Sequence, residues 1–292
     1  QLLVALIFAE LAGVIPVSGY SYQWIKQLST PFVSWLAGWI SFCFLILVIP
    51  AVDWGLAPIL ADLLSIPNTQ QNIKIIVMAT IIIQVTLNII GVKLASLIND
   101  GAVFTETVGM IGLTIFLFIA AIKNNADPTV LLNTGNAAGG PSYVGPFIMT
   151  MLMGSFTLVG FEASANLSEE THLAHKTVPK AIISSVAVSG LFGMLFLIAA
   201  TFAIQDMPRV LGSSNPLPLI IETNLGAVFG KLFLVLVCVS IFACGLVITT
   251  SAGRLIYAMA RDDAFFFSST FKKISPKTNS PIQATLLILL LC

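Results

Sequence analysis

One stretch of this sequence gathers the residue types that a binding site inside a membrane needs: Gly154-Ser155-Phe156-Thr157-Leu158-Val159-Gly160-Phe161-Glu162. It lies mid-way along an apolar run, where a carboxyl group is costly and marks a functional site. Its two glycines each weaken a helix by about 1 kcal/mol relative to alanine. One reading is close helix packing by small residues. The other is a helix broken at mid-membrane, with free carbonyls closing its first half and free amide groups opening its second. Such partial charges, held where lipid offers no competing partner, would bind an ion or a zwitterion. Glu10, Asp53 and Glu106 are the other carboxylates inside apolar runs. Structural pairing is expected for Glu10, and a position near the external end of a long helix, within reach of water, for Asp53. Glu106 is expected one turn into its helix, where the amide end of the helix dipole favours an anion. His172 and His175 beside Glu169 and Glu170 allow a metal on spacing alone, but a solvated loop is expected and no metal is assigned. No nucleophile–base pair or phosphate-binding loop accompanies them, so neither an enzyme nor a cofactor is implied.

The elements that must hold these residues follow from composition. Of 292 residues, 57% are hydrophobic and 9% charged, and the mean hydropathy is +1.00. Soluble domains are about 25% charged, so this chain cannot build a polar shell and reads as an all-α polytopic membrane protein in a lipid bilayer. Thirteen basic residues balance thirteen acidic ones, so no nucleic-acid partner is indicated. Cys43, Cys238, Cys244 and Cys292 sit in apolar runs without disulfide or zinc spacing and read as packing residues. Six complete apolar runs, Phe32–Leu60, Ile73–Ile90, Ala102–Ile122, Pro146–Asn166, Lys180–Ile204 and Lys231–Ala260, are long enough for spanning helices. The runs Leu2–Ile15 and Ala284–Cys292 are too short, and the expectation is one transmembrane domain, 1–292, truncated at both ends. Lys26, Lys93, Lys176, Lys180, Arg254, Arg261, Lys272, Lys273 and Lys277 fall on one side and Lys74, Lys123, Arg209 and Lys231 on the other, which puts the first set in the cytoplasm. Segment 17–31, with Tyr20, Trp24 and Leu28 four apart, is expected as a cytoplasmic interfacial helix. Segments 123–145 and 207–230 are expected as external loops, the second packing over a cavity.

Three strings in this order give the chain a family resemblance. They are Ala9-Glu10-Leu11 through Ile15-Pro16-Val17-Ser18-Gly19-Tyr20-Ser21-Tyr22-Gln23-Trp24 to Gly38-Trp39; Val159-Gly160-Phe161-Glu162 through Ser168-Glu169-Glu170 to Val178-Pro179-Lys180-Ala181-Ile182; and Arg254-Leu255-Ile256-Tyr257-Ala258-Met259-Ala260-Arg261-Asp262 with Ser280-Pro281. Together they resemble the amino acid–polyamine–organocation transporter superfamily, in its amino acid permease branch. The resemblance implies a five-plus-five inverted-repeat transporter fold with broken first and sixth helices, entered here within helix two and left within helix nine, so that the first helix is absent. The two longest runs would then be helices three and eight, equivalent positions in the two repeats.

The same resemblance implies roles for single residues. Main-chain carbonyls of Phe156, Thr157 and Val159, with Gly160 at the break, would receive a substrate ammonium, and the Phe156 ring would gate the pocket. Glu162 would exchange the coupled proton. Thr249, Thr250 and Ser251 stand where sodium-coupled relatives place ligands and are candidate cation ligands, with plain helix packing as the other reading. Gly112 replaces a lysine of some proton-coupled relatives. Phe266 replaces a proline and Tyr20 a glycine of the family pattern, and both substitutions are expected to be peripheral. The resulting expectation is a secondary active permease for amino acids, working by alternating access and driven by protons, with Na+ as the other coupling ion. The alternatives are an amine, choline or polyamine permease and a receptor that does not transport. Plasma or cell membrane is the expected location.

Overall fold

In the computed structural model, residues 1–132, 143–213, 215–278 and 280–292 are described. They form helices, with no strand among them: α1 (Leu2–Val14), α2 (Tyr20–Leu28), α3 (Pro31–Leu63), α4 (Gln70–Ile90), α5 (Val92–Lys123), α6 (Val144–Thr157), α7 (Ala174–Phe202), α8 (Met207–Leu211), α9 (Pro216–Leu225), α10 (Ala227–Arg261), α11 (Ser268–Phe271) and α12 (Ile282–Leu291). Short 3-10 helices occupy Pro128–Leu132 and, after α6, Phe161–Glu170. Six of the apolar helical stretches are long enough to cross a bilayer. The protein is an integral multi-pass membrane protein, all-α as its composition requires. Residues 133–142 of the expected loop 123–145 lie outside the described residues.

The break expected within Pro146–Asn166 is present: α6 stops at Thr157 and a 3-10 helix resumes at Phe161. Two expectations change in detail. Helix α5 starts at Val92, ten residues before its apolar run, because the mixed segment before Ala102 is also helical. Glu106 is therefore far inside a helix, and the dipole at a helix start does not account for it. Within 207–230, α8 and α9 form where the prolines suggested loop. Pro208 and Pro216 each sit in the first turn, where the missing N–H is not needed.

The chain forms two compact units. One comprises Leu2–Phe104, Gly160–Ser184 and Val237–Cys292. Its core repeats at helical spacing: Phe42, Leu45, Ile49 and Leu56 on α3, and Ile73, Val77, Ile81 and Val85 on α4, with Leu255, Ile256 and Met259 of α10 and Ile288 of α12. Asp53 falls on the same α3 stripe and is 1% exposed. It is thus buried, not within reach of water. Gln84 Nε2 of α4 donates to Asp53 Oδ1 at 2.9 Å and to the Phe242 carbonyl of α10 at 3.4 Å. One turn further, Asn88 Nδ2 donates to the Leu246 carbonyl at 3.3 Å, so a polar seam joins α4 to α10 inside an apolar core. The other unit comprises Thr105–Val159 and Ser185–Leu236, with Gln1. Phe116 packs edge-on against Phe229, and Phe196 stacks with Phe233. Buried Ile220 and Ile221 of α9 and the Asn224 amide, which donates to the carbonyls of Ala203 and Ile220, close one end of it.

The Asp53–Gln84 pair yields a test. Gln84→Leu removes the donor from a buried carboxyl group and should cost about 2 kcal/mol. Adding Asp53→Leu should recover most of that loss, because no acceptor remains to be satisfied. Thermal unfolding of the detergent-solubilised protein reads both, and additive losses would contradict the pairing.

Candidate functional site

The break is made by three residues. Leu158 closes α6 with φ −99 and ψ 49, outside the helical well. Gly160 follows at φ 89 and ψ 2, a left-handed conformation that glycine adopts without steric cost. No atom lies within 4 Å of where its Cβ would be, so the requirement there is purely conformational. The chain then winds as a ten-residue 3-10 helix, Phe161–Glu170, with Ala163 N donating to the Gly160 carbonyl at 3.0 Å. Runs of 3-10 helix beyond 3–4 residues are uncommon and mark strain or a hinge, so other groups must hold this one.

Those groups come from α2 and α10. Glu162, 7% exposed, accepts a hydrogen bond at Oε1 from the Tyr20 hydroxyl. Tyr20 N donates to Asn166 Oδ1 at 2.7 Å. Asn166 Nδ2 donates to Ser251 Oγ at 3.0 Å, and Arg254 Nη1 donates to the Asn166 carbonyl at 2.8 Å. At the far end Glu169 Oε1 accepts from Ser18 N at 3.3 Å and faces Arg261 Nη1 at 3.7 Å. Burial first, then the Glu162 carboxylate beside it, then their hydrogen bond push the Tyr20 hydroxyl above the ordinary phenol range, so it remains a donor.

Tyr20 is therefore not peripheral. It is the first residue of α2 and has φ 59, a left-handed conformation costing a non-glycine residue about 1–2 kcal/mol. Gly19 before it has φ 132, and a Cβ there would come within 2.7 Å of the Ala258 Cβ on α10. The rest of α2 is fastened to the end of α10. Asp262 accepts from Tyr22 Oη at 3.2 Å and Gln23 Nε2 at 3.3 Å, and pairs with Lys26 Nζ at 2.8 Å. Burial, the Asp262 carboxylate and the hydrogen bond push the Tyr22 hydroxyl up to about 12, with Arg261 pulling slightly the other way. Trp24 donates Nε1 to the Ile15 carbonyl at 3.0 Å and meets Phe8 edge-on, so its ring packs in protein.

The remaining candidates fall as follows. Phe156, 64% exposed, Thr157 and Val159 end the α6 side of the break and are next to Gly160 in the chain. Thr249 Oγ1 bonds back to the Gly245 carbonyl at 2.8 Å, Thr250 Oγ1 donates to Asn88 Oδ1, and Ser251 Oγ accepts from Asn166. The three hydroxyls do not converge on one point. A cavity of about 100 Å³ opens beside them, lined by Ser96, Asn99, Asp100, Asn166, Ser251 and Arg254. In the other unit a hollow of about 570 Å³ borders α9, lined by Asn124, Asn125, Asp127, Gln205 and Asn224. Glu10 is exposed on α1, and His172 and His175 are exposed at the start of α7. Sequence reasoning missed Tyr20, Asn166 and Arg254 as site residues. Arg254 carried a usable signal, since an arginine inside an apolar run needs a partner.

A family profile described as amino acid permease matches residues 1–292, and the chain belongs to that family. Amino-acid permease BAT1 of Arabidopsis thaliana is 28% identical over 96% of this chain and 59% of its own length. Its homologue in Oryza sativa is 29% identical over the same shares. The low-affinity putrescine importer PlaP of Escherichia coli K12 is 25% identical over 98% of this chain and 62% of its own. The chain spans less than two thirds of the length of these relatives.

Two substitutions test the break. Gly160→Val should cost at least about 1–2 kcal/mol, whereas Gly160→Asn should cost less, because asparagine enters the left-handed region more readily. Thermal unfolding ranks them; equal losses would argue against a left-handed residue there.

Proposed function

We propose that the whole protein is a secondary active permease that moves amino acids across a membrane by alternating access, with Glu162 exchanging the coupled proton. The observation that carries this reading is the interruption at Leu158–Gly160, placed directly before a buried carboxyl group. The carbonyls of Phe156 and Thr157 at the end of α6, and that of Val159 in the break beyond it, attract a substrate ammonium, as the negative end of a helix does. Phe156, beside them, gates the pocket. Exposed broken backbone is tolerated in a membrane only under protein cover or against a wet cavity, so in the full protein further helices cover this side and complete the substrate site. Glu162 follows the break in the chain, and a carboxyl group there can serve as a proton relay. Family membership and the names of the plant relatives support amino acids as the substrate class. A second reading, a polyamine permease, is favoured by the similarity to the bacterial putrescine importer. It uses the same carbonyls, which bind an ammonium whether or not a carboxylate accompanies it.

The test uses the full-length protein in proteoliposomes. Labelled amino acid uptake should persist when sodium is replaced by potassium, and should fall as the inward proton gradient is removed. Glu162→Gln should flatten the pH dependence of exchange. An unchanged profile would overturn the role of Glu162. Competition by putrescine but not by amino acids would favour the polyamine reading.

A further inference from the structure

Tyr20 holds a backbone conformation that glycine adopts freely and tyrosine does not. Strain of this kind persists only where its surroundings over-determine it, and it gathers at clamps and switch points. Gly19 packs against Ala258, Tyr20 N is bound to Asn166 Oδ1, and the Tyr20 hydroxyl ends on the buried Glu162 Oε1. The ring thus spans the gap from the start of α2 to the first turn after the break.

We propose that Tyr20 is the positioning residue of Glu162, a latch whose hydroxyl donates to the carboxylate and so holds it proton-free until the Gly19–Tyr20 turn moves. This rests on the reading of Glu162 as the proton-exchanging group. While the latch is closed, the hydrogen bond from Tyr20 favours the ionised carboxylate, so proton uptake is less favourable although Oε2 remains open to it. When the turn shifts, Tyr20 keeps its own proton, and the carboxylate, having lost that donor, takes up a proton from the coupling gradient more readily. The groups around Glu162 fit this assignment. From α2 it is faced by Tyr20. From α10, Arg254 Nη1 donates to the Asn166 carbonyl, and within its own helix Glu169 faces Arg261 and Ser18. The α1 contact to this segment is the Phe8 ring against Phe161, and Glu10 on that helix is exposed. Among the described residues, the Tyr20 hydroxyl donates directly to this carboxylate. The latch also links the carboxyl to α10 through Asn166, Ser251 and Ala258, so a shift of that helix end reaches Glu162 through Tyr20.

The experiment is substrate counterflow in proteoliposomes holding the full-length protein, a half-cycle that needs no net proton movement, measured from acid to alkaline pH. Four variants are compared with wild type: Tyr20→Phe, Tyr20→Gly, Glu162→Gln and the double variant Tyr20→Phe with Glu162→Gln. Phenylalanine keeps the ring and the strain but loses the hydroxyl; glycine loses the ring and relaxes the strain. Losing a donor to a carboxylate favours its protonated form, so both Tyr20 variants should move the midpoint towards alkaline pH by about one pH unit. The double variant should be as flat as Glu162→Gln alone. A shift in Tyr20→Gly but not in Tyr20→Phe would overturn the latch, because the backbone and not the hydroxyl would be responsible. If Glu162→Gln flattens the profile while neither Tyr20 variant moves it, the latch fails and the role of Glu162 stands. If Glu162→Gln keeps the wild-type profile, the role of Glu162 fails and the latch with it.

Discussion

Within a bilayer a backbone that leaves its helix has no water to turn to, and every N–H and C=O it releases must find a partner in protein or line a wet cavity. That constraint governs residues 158–170. The 3-10 segment after the break survives because Tyr20, Ser251 and Arg254 reach it from outside, with Asn166 as the point where their bonds meet. Arg254 is the costliest of these to bury, and its use on a main-chain carbonyl is informative. A guanidinium donor takes up an acceptor that a regular α-helix would have satisfied internally. The bonds that meet at Asn166 therefore support an irregular backbone.

The same bonds explain why the first and third strings of the family pattern occur together. Residues 17–24 form the turn and start of α2, and residues 254–262 form the end of α10. Asp262 gathers Tyr22, Gln23 and Lys26, while Gly19 admits Ala258 to within contact distance. Both sets of residues then act on the second string, through Tyr20 and Arg254. Three strings far apart in the sequence are one physical assembly, with Glu162 and Asn166 at its centre.

How much of this was legible in the sequence depends on the range of the forces involved. Spanning helices were legible because hydropathy and length are local properties, and the ends of α3 and α10 fall within a few residues of their apolar runs. The interruption was legible because two glycines and a carboxyl group stand within one span. The start of α5 was not, since Val92–Gly101 carries Lys93, Asn99 and Asp100 and helical bonding continues past the edge of the apolar run. The two short helices in 207–230 were hidden by prolines that begin helices as readily as they end them. Tyr20 was judged from the family pattern, as a replaced glycine, but its partner Glu162 is 142 residues away, and no periodicity encodes a contact at that distance. Asp53 misled for a related reason: its position near one helix end suggested water, whereas its register on the buried stripe of α3 decided otherwise.

Helix geometry also bears on the choice of coupling ion. Thr249, Thr250 and Ser251 are consecutive on α10, and successive residues of a helix point about 100° apart. Three such hydroxyls cannot all face one ion. Each has instead found its own partner: a carbonyl one turn back, the Asn88 amide oxygen, and the Asn166 amide. A sodium ion there would have to displace bonds that tie α10 to α4 and to the segment after the break. A proton makes no such demand, since a single carboxyl group can take it up. The bonding of α10 thus bears on the proposed coupling: the Thr250 and Ser251 hydroxyls that a sodium site would need already tie α10 to α4 and to the segment after the break.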